Sequence, residues 1–164
     1  MSSRSAGLGS VLFFFAAPVT MGVLIPALLS GWRADPAPAR AVSIAGAAVA
    51  LAGLAIVIVC FARFVTEGRG TPAPVAPTEK LVVGGLYRRV RNPMYVGVIW
   101  LIAGQALAFA SVPVAVYAVA FFATVASFVH FYEEPTLSEQ FGADYERYRA
   151  AVPAWIPRLR PWSG

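Results

Sequence analysis

The sequence predicts an all-α integral membrane protein, with about four transmembrane helices followed by a C-terminal cytoplasmic amphipathic helix. Three observations carry this. Of 164 residues, 59% are hydrophobic. The apolar residues gather into long uncharged runs. Those runs match a bilayer in length, because about 30 Å of hydrocarbon needs roughly 20 helical residues at ~1.5 Å each. The runs are continuously apolar rather than alternating, which argues against a β-barrel. The expected organisation is one membrane domain over 1–164, with an N-terminal helix pair over 1–65 and the polar motifs gathered in 81–157.

Leu8–Gly31 carries no charge over 24 residues and predicts a first span at 8–31. Pro18 and Pro26 should kink it, which packed membrane helices tolerate. It exceeds the apolar region of a signal peptide and lacks a small-x-small cleavage site before the next charged turn, so it reads as retained. Arg33–Arg40 (RADPAPAR) is a Pro-rich outer turn. Ala41–Ala62 is uncharged over 22 residues and predicts the second span, 41–63. Thr66–Val83 is rich in Pro and Gly, either a plain linker or a flap over a ligand. Gly84–Tyr87 forms a turn, and Pro93 suits the first turn of a helix, where its missing N–H costs nothing. From Asn92 to Tyr132, 41 residues carry only the single histidine, His130. That is room for two spans, 93–111 and 113–132, with Ser111-Val112-Pro113 as the turn. Pro135 opens a helix over about 135–151, in which Leu137, Phe141, Tyr145 and Tyr148 recur at steps of four, four and three. Its apolar face should lie on the membrane or over the bundle mouth. In the tail VPAWIPRLRPW, Trp155 and Trp162 suit the membrane interface.

The net charge of +5 does not imply nucleic acid, because its distribution follows the membrane. With the N-terminus inside, eleven of the thirteen Lys and Arg fall on the cytoplasmic side, leaving Arg33 and Arg40 outside. That is the positive-inside pattern. The expected location is a bacterial inner membrane, crossed several times, with both termini cytoplasmic. Cys60, the one cysteine, excludes an intramolecular disulfide and a cysteine metal site.

Two polar motifs flank the last two spans: YRRVRNPMYVG over 87–97 and EEPTLSEQFGADYERY over 133–148. A hairpin brings both to the same end. Arg88, Arg89 and Arg91 precede a helix N-terminus, while Glu133 and Glu134 follow a helix C-terminus, so both placements oppose the helix dipole. Three readings account for this. Arg91 pairs with Glu133 or Glu134 across the hairpin; or the arginines meet anionic headgroups while the glutamates favour the next helix; or both signs face a zwitterionic ligand. Tyr87, Asn92, Tyr95 and His130 lie beside these charges. His130 precedes Glu134 by four residues, on the same helix face. One His with two carboxylates is a poor metal set, so no metal is expected. Gly97 and Gly104, seven apart, allow close helix packing, and Gly97 has a second reading as room for a bound group.

These residues resemble the isoprenylcysteine carboxyl methyltransferase and phospholipid methyltransferase superfamily of integral-membrane enzymes. Its ordered motifs appear as Gly85-Leu86-Tyr87, Arg91-Asn92-Pro93-Met94-Tyr95-Val96-Gly97, Glu133-Glu134 and Phe141-Gly142-Ala143-Asp144-Tyr145-Glu146-Arg147-Tyr148. The match covers about 81–157. The resemblance implies S-adenosyl-L-methionine as cofactor, bound at the cytoplasmic mouth by Arg91, Asn92, Tyr95, Gly97, Glu133 and Glu134. Tyr87, Tyr145 and Tyr148 would cover it, and His130 is added from helix spacing. Arg91 and Glu134 are the expected catalytic pair. Where the prenylcysteine enzymes have His, this chain has Asn92, which cannot titrate. The implied partners are membrane lipids and a lipophilic methyl acceptor, with no nucleic acid. A nicotinamide-dependent membrane reductase and a four-helix transport or scaffolding protein are the alternative classes.

Overall fold

The computed structural model describes residues 15–33, 38–67 and 81–163. The start of the expected first span and most of the 66–83 connection lie outside the described residues. Among these residues every regular element is helical. A wide, π-helical stretch, Phe15–Leu24, runs into α1 (Ile25–Ser30). There follow α2 (Arg40–Glu67), a tight 3₁₀ turn at Gly85–Arg88, α3 (Pro93–Ala108) and α4 (Val112–Phe128). A π-helical turn, Val129–Glu133, leads to α5 (Glu134–Phe141) and α6 (Ala143–Ala151).

Two helices are long and apolar enough to cross a membrane, Arg40–Arg63 with 24 residues and Val112–Phe141 with 30. Four such spans were expected from the sequence. Pro18–Ser30 and Pro93–Ala108 are apolar but shorter. The helix at 93 stops at Ala108, three residues early, because Ala110 turns with a positive φ of 49°. Ser111 then caps α4, its hydroxyl accepting from the Val114 N–H at 3.4 Å, and Pro113 sits in the first turn. The expected Ser-Val-Pro turn is therefore in place.

α3 lies between α2 and α4, and the N-terminal stretch leans on α3 and α4. The α2–α3 contact is antiparallel and runs on glycine. A Cβ on Gly53 would meet the Gly97 carbonyl and the Leu101 nitrogen, both at 2.5 Å, and one on Gly46 would meet the Gly104 carbonyl at 2.7 Å. From the other side, a Cβ on Gly97 would come within 2.9 Å of the Gly53 carbonyl, and one on Gly104 within 2.6 Å of the Gly46 carbonyl. The spacing of seven on both helices keeps one seam facing the other, and bare Cα atoms let the backbones touch. Beside this seam Val57, Val98, Ile102, Ala106, Val114 and Ala118 form the apolar core.

Two prolines each leave a carbonyl without its helical partner, and the chain answers them differently. Pro26 has no N–H, so the carbonyls of Gly22 and Met21, four and five residues earlier, lose their helical partner. The Gln105 side-chain amide donates to the Gly22 carbonyl at 2.6 Å, and the Tyr117 hydroxyl donates to that of Met21 at 3.0 Å. Pro135 would clash with the Phe131 carbonyl in a regular α-helix. Instead the Glu134 N–H reaches back five residues to the Val129 carbonyl, and the helix runs on through the wider turn. This corrects two expectations. The fourth helix does not end at Tyr132, so Glu133 and Glu134 sit within a continuing helix. The expected helix 135–151 is two helices, because Gly142 breaks it with φ 52° and ψ −129°, a conformation open to glycine.

Two outcomes follow. Gly53→Ala places a methyl against backbone that cannot rotate away, so α2 and α3 must separate. The cost should be about 1–3 kcal/mol, read as a lower unfolding midpoint in detergent. Gln105→Leu conserves apolar volume but strands the buried Gly22 carbonyl, which should also cost about 1–3 kcal/mol by the same measurement.

Candidate functional site

Gly85 takes a φ of +57°, which opens the tight turn and delivers Tyr87 into a buried cluster with Cys60 and Val82. The chain then meets its own tail. The Arg91 N–H donates to the Pro153 carbonyl at 2.9 Å and the Asn92 N–H to that of Ala154 at 3.3 Å. The Asn92 side-chain amide donates to the same Ala154 oxygen at 3.2 Å. Further out, the Arg158 N–H donates to the Arg89 carbonyl at 2.9 Å and the Trp162 N–H to that of Arg88 at 2.8 Å. The tail is thus a strap across the arginine segment. Trp162 packs on the Tyr148 ring with centroids 5.4 Å apart, and Trp155 packs edge-on against Phe122 of α4 at 5.2 Å.

Within this frame Arg91 Nη2 lies 2.9 Å from Glu134 Oε1, with both side chains nearly buried at 12% and 11% exposure. Glu134 Oε2 lies 3.4 Å from Arg149 Nη2, and Arg149 Nη1 lies 4.0 Å from Glu146 Oε1. The cross-hairpin pair, one of the three readings that the motifs allowed, is therefore present, and it neutralises Arg91 at the start of α3. Beside it the Tyr95 hydroxyl donates to Glu133 Oε2 at 3.2 Å.

One carboxylate does not satisfy Arg91. Its Nε and Nη1 are buried without a hydrogen-bond partner among the described residues. A guanidinium presents five N–H donors in a rigid fork, and each buried donor left unmade costs about 1–3 kcal/mol. An anion, a carboxylate in particular, could accept from either of these two donors.

α6 closes the mouth from above. Tyr145, Tyr148 and Val152 are buried together, with Leu81, Val83, Leu137 and Phe141 against them, and the Tyr148 hydroxyl donates to the Tyr87 carbonyl at 2.7 Å. Burial pushes the phenols of Tyr87, Tyr145 and Tyr148 above their ordinary value, so they stay neutral donors at neutral pH. The helix pair is clasped across Gly142 by the Ser138 hydroxyl donating to Glu146 at 2.6 Å. Among the described residues no three His, Cys, Asp and Glu side chains converge as metal ligands.

Of the residues singled out in the sequence, Tyr87, Arg91, Asn92, Tyr95, Glu133, Glu134, Tyr145 and Tyr148 come together at this mouth. Two stand apart. His130 is exposed, with its ring edge-on to Phe131 at 4.7 Å. Gly97 is turned into the α2 seam. Arg149 and the carbonyls of Pro153 and Ala154 were not anticipated. Arg149 follows Tyr145 by four residues, which was the one signal in the sequence for its position.

The phospholipid methyltransferase family model matches residues 42–144, from the start of α2 to the start of α6. No curated protein and no solved structure matches the chain. The matched region is more than half of the chain, and it reaches further towards the N-terminus than the motifs do. It takes in both sides of the glycine seam as well as Arg91, Tyr95, Glu133 and Glu134. Its match is to methyltransferases, whereas the sequence had also allowed a reductase or a transport protein. The seam and the charged mouth thus fall within one matched unit, and the chain belongs to the phospholipid methyltransferase family of integral-membrane methyltransferases.

Proposed function

We propose that the protein transfers a methyl group from S-adenosyl-L-methionine to a lipophilic acceptor, with the cofactor held at the charged mouth of α3 and α4. The acceptor class is a carboxylate, thiol or amine on a prenylated or lipid-like molecule, as in the enzymes of isoprenylcysteine carboxyl methylation that the motifs resemble. The observation that carries this reading is Arg91, buried with Nη2 on Glu134 and two other donor nitrogens without a partner among the described residues. The donor set fits the cofactor's amino-acid end, which bears both a carboxylate and an ammonium.

When bound, the cofactor supplies an electrophilic methyl group on a sulfonium. The protein's own residues have simpler tasks. Arg91 offers the carboxylate a buried donor that Glu134 leaves free, Nε or Nη1. Glu133 receives the ammonium, because its partner Tyr95 is neutral and leaves its charge uncompensated. Glu134 is shared between Arg91 and Arg149 and serves to orient the Arg91 fork. Tyr87, Tyr145 and Tyr148 cover the mouth and exclude water, which favours an in-line displacement between aligned partners. Asn92 spends its amide on the tail and supplies no base. A carboxylate or thiolate acceptor arrives ionised and needs none.

In the bilayer the reading is of four crossings with both termini cytoplasmic. α3 is about 24 Å long at ~1.5 Å per residue, and its flanking turns complete the crossing. The acceptor enters sideways from the lipid.

Titration of purified protein with S-adenosylmethionine tests the assignment. Arg91→Lys keeps the charge but loses the fork, and should weaken binding about 10–100-fold. Glu133→Gln should weaken it by a similar factor, while Asp144→Asn, outside the mouth, leaves it unchanged. Wild-type affinity in both Arg91→Lys and Glu133→Gln would overturn the proposal.

A further inference from the structure

The strap formed by the tail has an outer face that the mouth does not use. Ile156 and Leu159 are 78% and 92% exposed, and Trp155 leans on Phe122, which lies on one of the two helices long and apolar enough to cross a membrane. The exposed apolar side chains therefore continue the surface of α4. Arg88, Arg89, Arg158 and Arg160 lie on the same strap and the segment beneath it. None of them pairs with a carboxylate among the described residues. The sequence offers them none nearby, since Leu81–Tyr132 and Arg147–Gly164 contain no Asp or Glu.

Some of the guanidinium donors are used within the strap. Arg88 Nε donates to the Trp162 carbonyl, Arg89 Nη1 to that of Leu159 at 2.5 Å, and Arg158 Nη1 to that of Ala151 at 2.7 Å. Carbonyls carry no net charge, so four positive charges remain uncompensated beside an exposed apolar edge. Aromatic and aliphatic groups that enter the interface, ringed by Arg, fit an anionic bilayer surface.

We propose that the strap, residues 152–162, together with Arg88 and Arg89, is a docking surface for the anionic headgroups of the bilayer in which the protein sits. Ile156 and Leu159 insert between headgroups, and the arginines bind the phosphates around them. The same strap holds the N–H groups of Arg91 and Asn92 through Pro153 and Ala154. Anionic lipid therefore steadies the entrance to the charged mouth, whatever that mouth binds.

Hydrogen exchange on the full chain in nanodiscs tests this without any cofactor. The amides of Arg158 and Trp162 should exchange about tenfold more slowly in phosphatidylcholine mixed with phosphatidylglycerol than in phosphatidylcholine alone. Arg158→Gln combined with Arg160→Gln should abolish the difference. Equal exchange of the wild type in the two bilayers would overturn the proposal, as would an undiminished lipid effect in the double variant. The same slowing produced by inorganic phosphate in phosphatidylcholine nanodiscs would also overturn it, since the site would then take a free anion. The wild-type comparison decides the matter even if the double variant does not fold.

Discussion

Backbone contact between α2 and α3 is the constraint on which the rest of the structure depends. Between lipid-like surfaces there is no gain from removing apolar groups from water, so helices associate through close packing and polar contacts. Gly46 and Gly53 against Gly97 and Gly104 supply the first of these. With α3 seated on α2, its two ends are placed. One end presents Gln105 to the N-terminal stretch, and the other begins at Arg91, where the chain meets both α5 and its own tail. A side chain added anywhere along the seam would move the mouth as well as the core.

The mouth itself is an exercise in incomplete compensation. Charges at that end are expensive beside a bilayer, and those that line the mouth are partnered within the chain: Arg91 by Glu134, Glu134 also by Arg149, Glu133 by the Tyr95 hydroxyl. What is left over is asymmetric. Arg91 keeps two buried donors, and Glu133 has only a neutral partner. A plain staple between helices would not need either remainder. A ligand bearing opposite charges at its two ends uses both, and that is why the family's chemistry is compatible with this end of the bundle.

Proline acts twice in the same way, with different consequences. At Pro26 the lost hydrogen bonds are replaced from neighbouring helices, and the replacement ties the N-terminal stretch to α3 and α4. At Pro135 a wider turn absorbs the problem within one helix. The second solution carries α4 past the apolar zone and into α5 without a break, so Glu133 and Glu134 stand on a rigid helix rather than in a loop.

The uncharged runs, the Ser111 turn, the position of Pro93 and the ordered polar motifs were all legible in the chain, because each depends on neighbours in sequence. Length against bilayer thickness, missing N–H groups and helix caps are local properties. The motifs likewise named eight residues that meet at the mouth. The partnership of Gly46 with Gly104, the Gln105 bond to Gly22, the Arg149 contact and the strap of the tail over Arg88–Asn92 were not legible, since each joins residues far apart or on different helices. The Gly142 break was hidden by an apolar repeat that continues across it. By itself the sequence determined an all-helical membrane chain with opposite charges at one end of a hairpin. Only the tertiary structure decided which of those charges are spent on each other and which are left over, because a charge's state depends on what is packed within a few ångströms of it.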